Sequence, residues 1–107
     1  MTVSKSDIRR LDKAIHNAER KLQAVRNQEM WPLEGHERRA VLRAAAGGAY
    51  SLHRGNGTAR ADNKIDNLFS SAETRLITEI AAFKAERQRL VTEAARDKAA
   101  KKSSGWW

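Results

Sequence analysis

The chain has 107 residues, with 21 lysines and arginines against 13 aspartates and glutamates, and a formal net charge of +8. This length predicts a single domain, residues 1–107, with one modest hydrophobic core. The chain has no cysteine, which excludes disulfide bonds, thiolate metal sites and cysteine nucleophiles. The excess of positive charge predicts attraction to polyanions, such as nucleic acid or an acidic protein surface.

A heptad pattern predicts the first helix. Apolar residues recur at alternating steps of three and four from Ile8 to Val25, as in the seam of a coiled coil. Pro32 disfavours a helical conformation for the residue before it, so the helix is predicted over residues 6–30. We expect Trp31 to plug one end of a helix pair, because a small core needs a large side chain there.

The middle of the chain predicts a short helix followed by a loop. Good helix formers occupy residues 37–46 and predict a helix over about residues 36–47, with Gly47 and Gly48 where a helix C-cap is expected. Residues 48–61 include the sequence Gly55-Asn56-Gly57 and predict a basic loop. No buried strand is predicted before this loop and no lysine follows its last glycine, so a nucleotide-binding P-loop is not indicated. The loop is expected to be a plain connection or a contact for nucleic-acid phosphates.

A second apolar seam predicts a long third helix over residues 63–101, with Asp62 as its N-cap and residues 102–107 as a flexible tail. Two consecutive steps of four shift the pattern near Ser70. The spacing of Ser70 and Glu73 at the same point is that of a capping box. The helix is therefore expected either to continue through this point or to bend and restart there.

These elements predict an all-α fold: an antiparallel helical hairpin of two long heptad-patterned helices, with the short helix and the basic loop at one end. The third helix is predicted to be longer than the first, so its end either projects into solvent or is covered by a second copy of the chain. A homodimer is therefore left open. No apolar stretch approaches the ~20 residues of a membrane span, and no N-terminal apolar run suggests targeting. A cytoplasmic protein without membrane contact is expected.

Arginines are concentrated in the middle of the chain. Residues 38–61 contain five arginines and no acidic residue, whereas positive and negative side chains are interleaved elsewhere. A guanidinium group can hold a phosphate or a carboxylate with two parallel hydrogen bonds. The predicted binding surface for nucleic acid or for an acidic partner consists of Arg38, Arg39, Arg43, Arg54 and Arg60.

Aromatic side chains give two further predictions. Tyr50 and His53 lie close to Arg54 in sequence and are candidates for stacking on exposed bases. The alternative is that Tyr50 packs with Leu52 over the end of the hairpin. The pair Trp106-Trp107 ends the chain, and exposed tryptophans of this kind are expected either to contact a partner or second subunit or to fold back onto the helices.

The sequence indicates no constellation for metal binding or catalysis. Its histidines, at positions 16, 36 and 53, have no metal-ligand spacing. There is no nucleophile motif, and no pair of carboxylates is expected in an apolar pocket. Glu34, His36 and Glu37 are close in sequence but are expected to form a flexible, solvated cluster. We therefore predict no metal, no cofactor and no enzymatic activity.

Three functions remain after these exclusions. The leading hypothesis is a small basic helical accessory protein that binds DNA or RNA through phosphate contacts. The alternative is a protein–protein interaction module, such as an inhibitor or adaptor carried by a phage or mobile element, that docks on an acidic or nucleic-acid-binding surface of a larger complex. A third hypothesis is an oligomeric assembly protein.

Overall fold

The computed structural model describes the backbone of residues 5–104 and the side chains of residues 5–102. This part of the chain contains three α-helices and no strand: α1 (Lys5–Arg26), α2 (Gly35–His53) and α3 (Ala59–Ser104). The predicted all-α class is thereby confirmed for the described residues. None of these helices is both long enough and apolar enough to cross a membrane.

Helix α1 ends at Arg26, earlier than predicted, and its end does not depend on Pro32. The N–H of Glu29 donates to the carbonyl of Ala24 at 2.9 Å, and the N–H of Gln28 donates to that of Val25 at 2.9 Å. This pair of bonds is a Schellman motif, which requires a left-handed residue after the helix. Gln28 takes that conformation, with φ of 58°, so the chain turns away before it reaches the proline.

Helix α2 continues through the two glycines that were predicted to end it. Gly48 is buried, and a Cβ placed there would lie 2.8 Å from the Cβ of Ala61 in α3. The helix ends instead at His53, and Gly55 follows it with φ of +85°. The prediction of a C-cap at Gly47-Gly48 was therefore wrong, because Gly48 serves a close approach between helices and Gly55 provides the left-handed turn.

Helix α3 begins at Ala59, so Asp62 lies in its first turn and is not the N-cap. Thr58 precedes the helix, and its carbonyl accepts a hydrogen bond from the N–H of Asp62 at 2.9 Å. The Thr58 hydroxyl also donates to the Asp62 carboxylate at 3.1 Å. Together these bonds tie the first turn of α3 to the residue before it.

No break occurs in α3 at Ser70. The hydroxyl of Thr74 donates to the carbonyl of Ser70 at 3.1 Å, and the hydroxyl of Ser71 donates to that of Asn67 at 3.0 Å. Each hydroxyl thus bonds to the backbone one turn earlier, as serine and threonine do inside helices. Of the two alternatives left open by the sequence, the helix continues through Ser70 and does not bend and restart there.

The described chain divides into two compact units. Unit 1 combines α1 through Glu19 with α3 from Thr78, and unit 2 comprises residues 20–77. In unit 1, Arg87 of α3 forms an ion pair with Asp12 of α1. The prediction of one domain concerned residues 1–107 as a whole and stays a prediction.

Unit 2 contains a hydrophobic cluster to which α1, α2, α3 and the first connection all contribute. Leu76 is fully buried, and Leu33 in the connection is only 4% exposed. Trp31 is 50% exposed, so the prediction that it plugs the core was wrong, because Leu33 occupies that place. The buried members of the cluster are Val25, Leu33, Val41, Phe69, Ala72 and Leu76.

Candidate anion-binding groove

A groove of about 330 Å³ lies in unit 2 between α2 and the start of α3. Three cationic side chains line it, one from α2 and two from α3, and none of its lining residues is acidic. Its small residues leave the backbone accessible. The lining residues are Arg43, Ala44, Gly47, Gly48, Ser51, Gly57, Arg60, Ala61 and Lys64.

Helices α2 and α3 approach each other closely at Gly48 and Ala61, which both line this groove. A side chain at position 48 would overlap the Ala61 methyl group, whose Cβ would be only 2.8 Å away. The hydroxyl of Ser51 donates to the carbonyl of Gly57 at 3.0 Å and ties α2 to the connection that leads into α3. The groove therefore depends on two tertiary interactions: the close approach of Gly48 and Ala61 and the hydrogen bond from Ser51 to Gly57.

The cations of the groove have no acidic partner among residues 5–102. Arg43, Arg60 and Lys64 are all exposed and form no ion pair there. By contrast, Arg26 bonds to Glu73 at 3.0 Å. Uncompensated positive charge in a concave surface focuses the electrostatic field and attracts anions.

Lys64 is a groove cation that was not among the residues predicted from the sequence. It lies just beyond Asp62, outside the acid-free stretch that defined the predicted surface. One turn of helix separates it from Arg60, because residues four positions apart are neighbours on a helix surface. A search for such pairs at the start of α3 would have found it.

Only part of the predicted arginine surface comes together. Arg43 and Arg60 line the groove, whereas Arg38 and Arg39 are exposed and do not line it. Five positions separate residues 38 and 43, so Arg38 points about 140° away from Arg43 around the helix at ~100° per residue. Arg39 is four positions from Arg43 and lies on the same side of α2, although it does not line the groove. Arg54 follows α2, and its guanidinium lies 5.6 Å from the ring centroid of Tyr50.

The aromatic candidates are exposed. Tyr50 is 63% exposed and Leu52 is 64% exposed, so the alternative that they pack together over the end of a hairpin is wrong. His53 is exposed in the last turn of α2. Base stacking by Tyr50 and His53 stays a prediction, and the Trp106-Trp107 prediction lies outside the described residues.

Glu37 is the buried acid of unit 2, at 9% exposed, so the expectation of a solvated side chain was wrong for Glu37, whereas Glu34 and His36 are exposed. The Arg75 guanidinium donates to its two carboxylate oxygens at 3.0 and 3.3 Å, and the N–H of Glu34 donates to Oε1 at 2.8 Å. Burial raises the pKa of Glu37, but the hydrogen bonds from Arg75 and Glu34 and the charges of Arg75 and His36 lower it below its ordinary value. The carboxylate is therefore ionised and structural, linking the start of α2 to α3.

Within the described residues, no group of three or more histidine, aspartate and glutamate side chains could hold a metal ion. His36 approaches the Glu34 carboxylate at 3.6 Å, but both side chains are largely exposed. The absence of a metal, a cofactor and catalysis stays a prediction.

Comparisons of the chain with protein-family models, with curated proteins and with solved structures found no match.

Proposed function

We propose that the protein binds nucleic acid through its phosphate backbone and that the groove between α2 and α3 is the main contact. The observation that supports this proposal is the convergence of Arg43, Arg60 and Lys64 on one groove whose lining has no acid. Two guanidinium groups and one ammonium group are the chemistry that proteins use to hold phosphate oxygens.

Glycines at the groove favour a close approach by a phosphate group. Gly47 and Gly57 line it, and a Cβ added at either position would meet nothing within 4 Å. The N-terminus of α3 adds partial positive charge at the same place. The Asp62 carboxylate lies in that first turn and offsets part of this charge, so the side-chain cations supply most of the attraction.

The groove provides charge rather than a pattern that could distinguish bases. The expected binding is therefore independent of base sequence and strongly dependent on salt, for DNA and RNA alike. Tyr50 and His53 add a second expectation: if they stack on unpaired bases, single strands will bind more tightly than duplexes.

A salt series of fluorescence anisotropy tests the proposal with duplex DNA, single-stranded DNA and structured RNA. The triple variant Arg43→Gln, Arg60→Gln, Lys64→Gln should reduce the slope of log affinity against log salt by roughly 2 to 3 on duplex DNA, since each phosphate contact contributes about 0.9.

A charge-matched control removes three exposed cations elsewhere, with Arg9→Gln, Lys13→Gln and Lys98→Gln. This control has the same net charge as the groove variant and should keep most of the affinity and slope. Equal losses in both variants would mean that net charge, and not the groove, causes binding. No binding of the native protein at low salt would refute the proposed function itself.

The finer architecture is also part of the proposal. We propose that the end of α1 pairs antiparallel with α3 as a helical hairpin, supported in unit 2 by the bond between Arg26 and Glu73 and by that from Gln28 to Asp66 at 2.8 Å. Light scattering across a concentration series tests the homodimer. A cytoplasmic location accords with a nucleic-acid ligand and stays a proposal.

A further inference from the structure

Helix α2 has a second face that the groove does not use. Its buried positions, Val41, Ala44 and Gly48, pack within unit 2. The flank of α2 about a quarter turn around the helix from these positions, at ~100° per residue, carries Leu42, which is 58% exposed, and Leu52, which is 64% exposed. An exposed helix face is normally polar. The outer seam of α2, as we define it, consists of Leu42, Ala45, Ala49 and Leu52, all of them exposed.

The spacing of the outer seam matches a helix-packing surface. Steps of three, four and three between its members are those of the a and d positions of a heptad. Alanines at its centre would allow another helix to approach closely, and a leucine at each end would give that helix an apolar contact. The expected occupant is therefore a helix with an apolar stripe of its own.

Charge around the outer seam identifies the kind of helix. Arg38 continues the seam one turn before Leu42, Arg39 lies beside it, and His53 lies at its other end. Among residues 5–102, neither arginine forms an ion pair, and no acid occurs between residues 38 and 61. A second copy of the chain would bring cations against cations, which disfavours self-association through this face.

We infer that the outer seam of α2 binds an acidic amphipathic helix of a partner protein. The apolar side chains of that helix would pack against Leu42 and Leu52, and its carboxylates would pair with Arg38 and Arg39. This surface is separate from the groove cations Arg60 and Lys64 on α3. The inference therefore does not depend on nucleic-acid binding.

A synthetic 21-residue peptide with leucine at its a and d positions and glutamate at e and g serves as the probe, labelled for anisotropy with the full-length protein. We expect saturable binding. The variant Leu42→Gln, Leu52→Gln should weaken it about tenfold or more, because two apolar contacts with the peptide are removed. Both positions are exposed, and glutamine favours helix, so the fold should persist; circular dichroism checks this.

Two further variants separate this surface from the groove. The double variant Arg38→Gln, Arg39→Gln should weaken peptide binding and make it less dependent on salt. The double variant Arg60→Gln, Lys64→Gln should leave peptide binding unchanged and reduce nucleic-acid binding. A peptide with lysine in place of glutamate should bind at least tenfold more weakly than the acidic one.

Three results would overturn the inference: no binding of the acidic peptide at low salt, equal binding of the acidic and basic peptides, or no effect of the leucine substitutions. Light scattering provides the remaining test. If the native protein self-associates and the leucine substitutions abolish this self-association, a second copy of the chain occupies the outer seam. The proposed acidic partner helix would then be refuted.

Discussion

Replacing Gly48 with alanine would place a methyl carbon 2.8 Å from the Cβ of Ala61. Two carbon atoms in favourable contact are about 3.5–4.0 Å apart, so α2 and α3 would have to separate locally. The atom that is overlapped belongs to a short side chain fixed to the helix backbone, so no flexible side chain can move aside. The strain must therefore be relieved by movement of a helix.

Two opposing terms set the size of the effect. Alanine favours a helix interior over glycine by about 1 kcal/mol, whereas overpacking costs roughly 1–3 kcal/mol. The expected net result is a free energy of unfolding lowered by up to about 2 kcal/mol. Gly47→Ala is the matched control, because it is one residue away in the same helix and its added Cβ meets nothing within 4 Å.

Gly47→Ala should gain the higher helix propensity of alanine without any steric overlap. Its free energy of unfolding should therefore rise by up to about 1 kcal/mol. The difference between the two variants then isolates the overlap at about 1–3 kcal/mol, since the propensity term cancels. Thermal and urea unfolding followed by circular dichroism at 222 nm measures this difference. For a chain of this size, each kcal/mol shifts the Tm by roughly 4–8 °C.

The Gly48→Ala variant also tests the groove. Separation of the helices by Gly48→Ala would move Arg43 away from Arg60 and weaken anion binding. Gly47 also lines the groove, so Gly47→Ala serves as the control for stability and not for anion binding. Equal stabilisation by both alanines would refute the reasoning, because it would mean that α2 and α3 do not approach closely at Gly48.

Three more predictions concern unit 2. Leu76→Ala should lower the free energy of unfolding by about 2–5 kcal/mol, because Leu76 is 0% exposed; a loss below about 1 kcal/mol by urea denaturation would contradict its place in the core. Arg75→Met should cost about 1–3 kcal/mol, since the Glu37 carboxylate loses its two guanidinium bonds, and a double-mutant cycle with Glu37→Gln should recover a coupling between them. The lowered pKa of Glu37 predicts stability that is fully present above the unfolded-state pKa and lost as the pH falls through the folded-state value, below about 4.5. The free energy of unfolding should therefore fall more steeply with decreasing pH in the native protein than in the Glu37→Gln variant. Equal slopes in the two proteins would contradict the lowered pKa of Glu37.

Local sequence was sufficient for the helical class and for the approximate positions of the helices. The heptad seam of α1 and the scarcity of large apolar residues elsewhere both favour helix on helix packing, and the three helices of the described residues agree with this. Helix ends were less predictable. At Gln28 the left-handed turn is adopted by a residue with no strong preference for it, so no sequence signal marked the end of α1.

The candidate site depended on contacts that the sequence does not reveal. The acid-free stretch in the sequence drew attention to the middle arginines, but it could not show that Arg43 and Arg60 line one groove while Arg38 and Arg39 do not. Lys64 lies outside the acid-free stretch, and the start of α3 at Ala59 places Arg60 one helical turn before it on the same helix. Glu37 was mistaken for a solvated acid because its partner, Arg75, is far away in sequence.

Gly48 illustrates the physical limit most clearly. By itself the sequence determined that this protein is basic, cysteine-free and built of helices, because charge, composition and periodicity are properties of the chain alone. Glycine, however, has the same local signal where a helix ends and where two helices cross. Only the tertiary structure decided between them, because the choice depends on Ala61 of another helix, and with it on whether Arg43 and Arg60 lie at one groove.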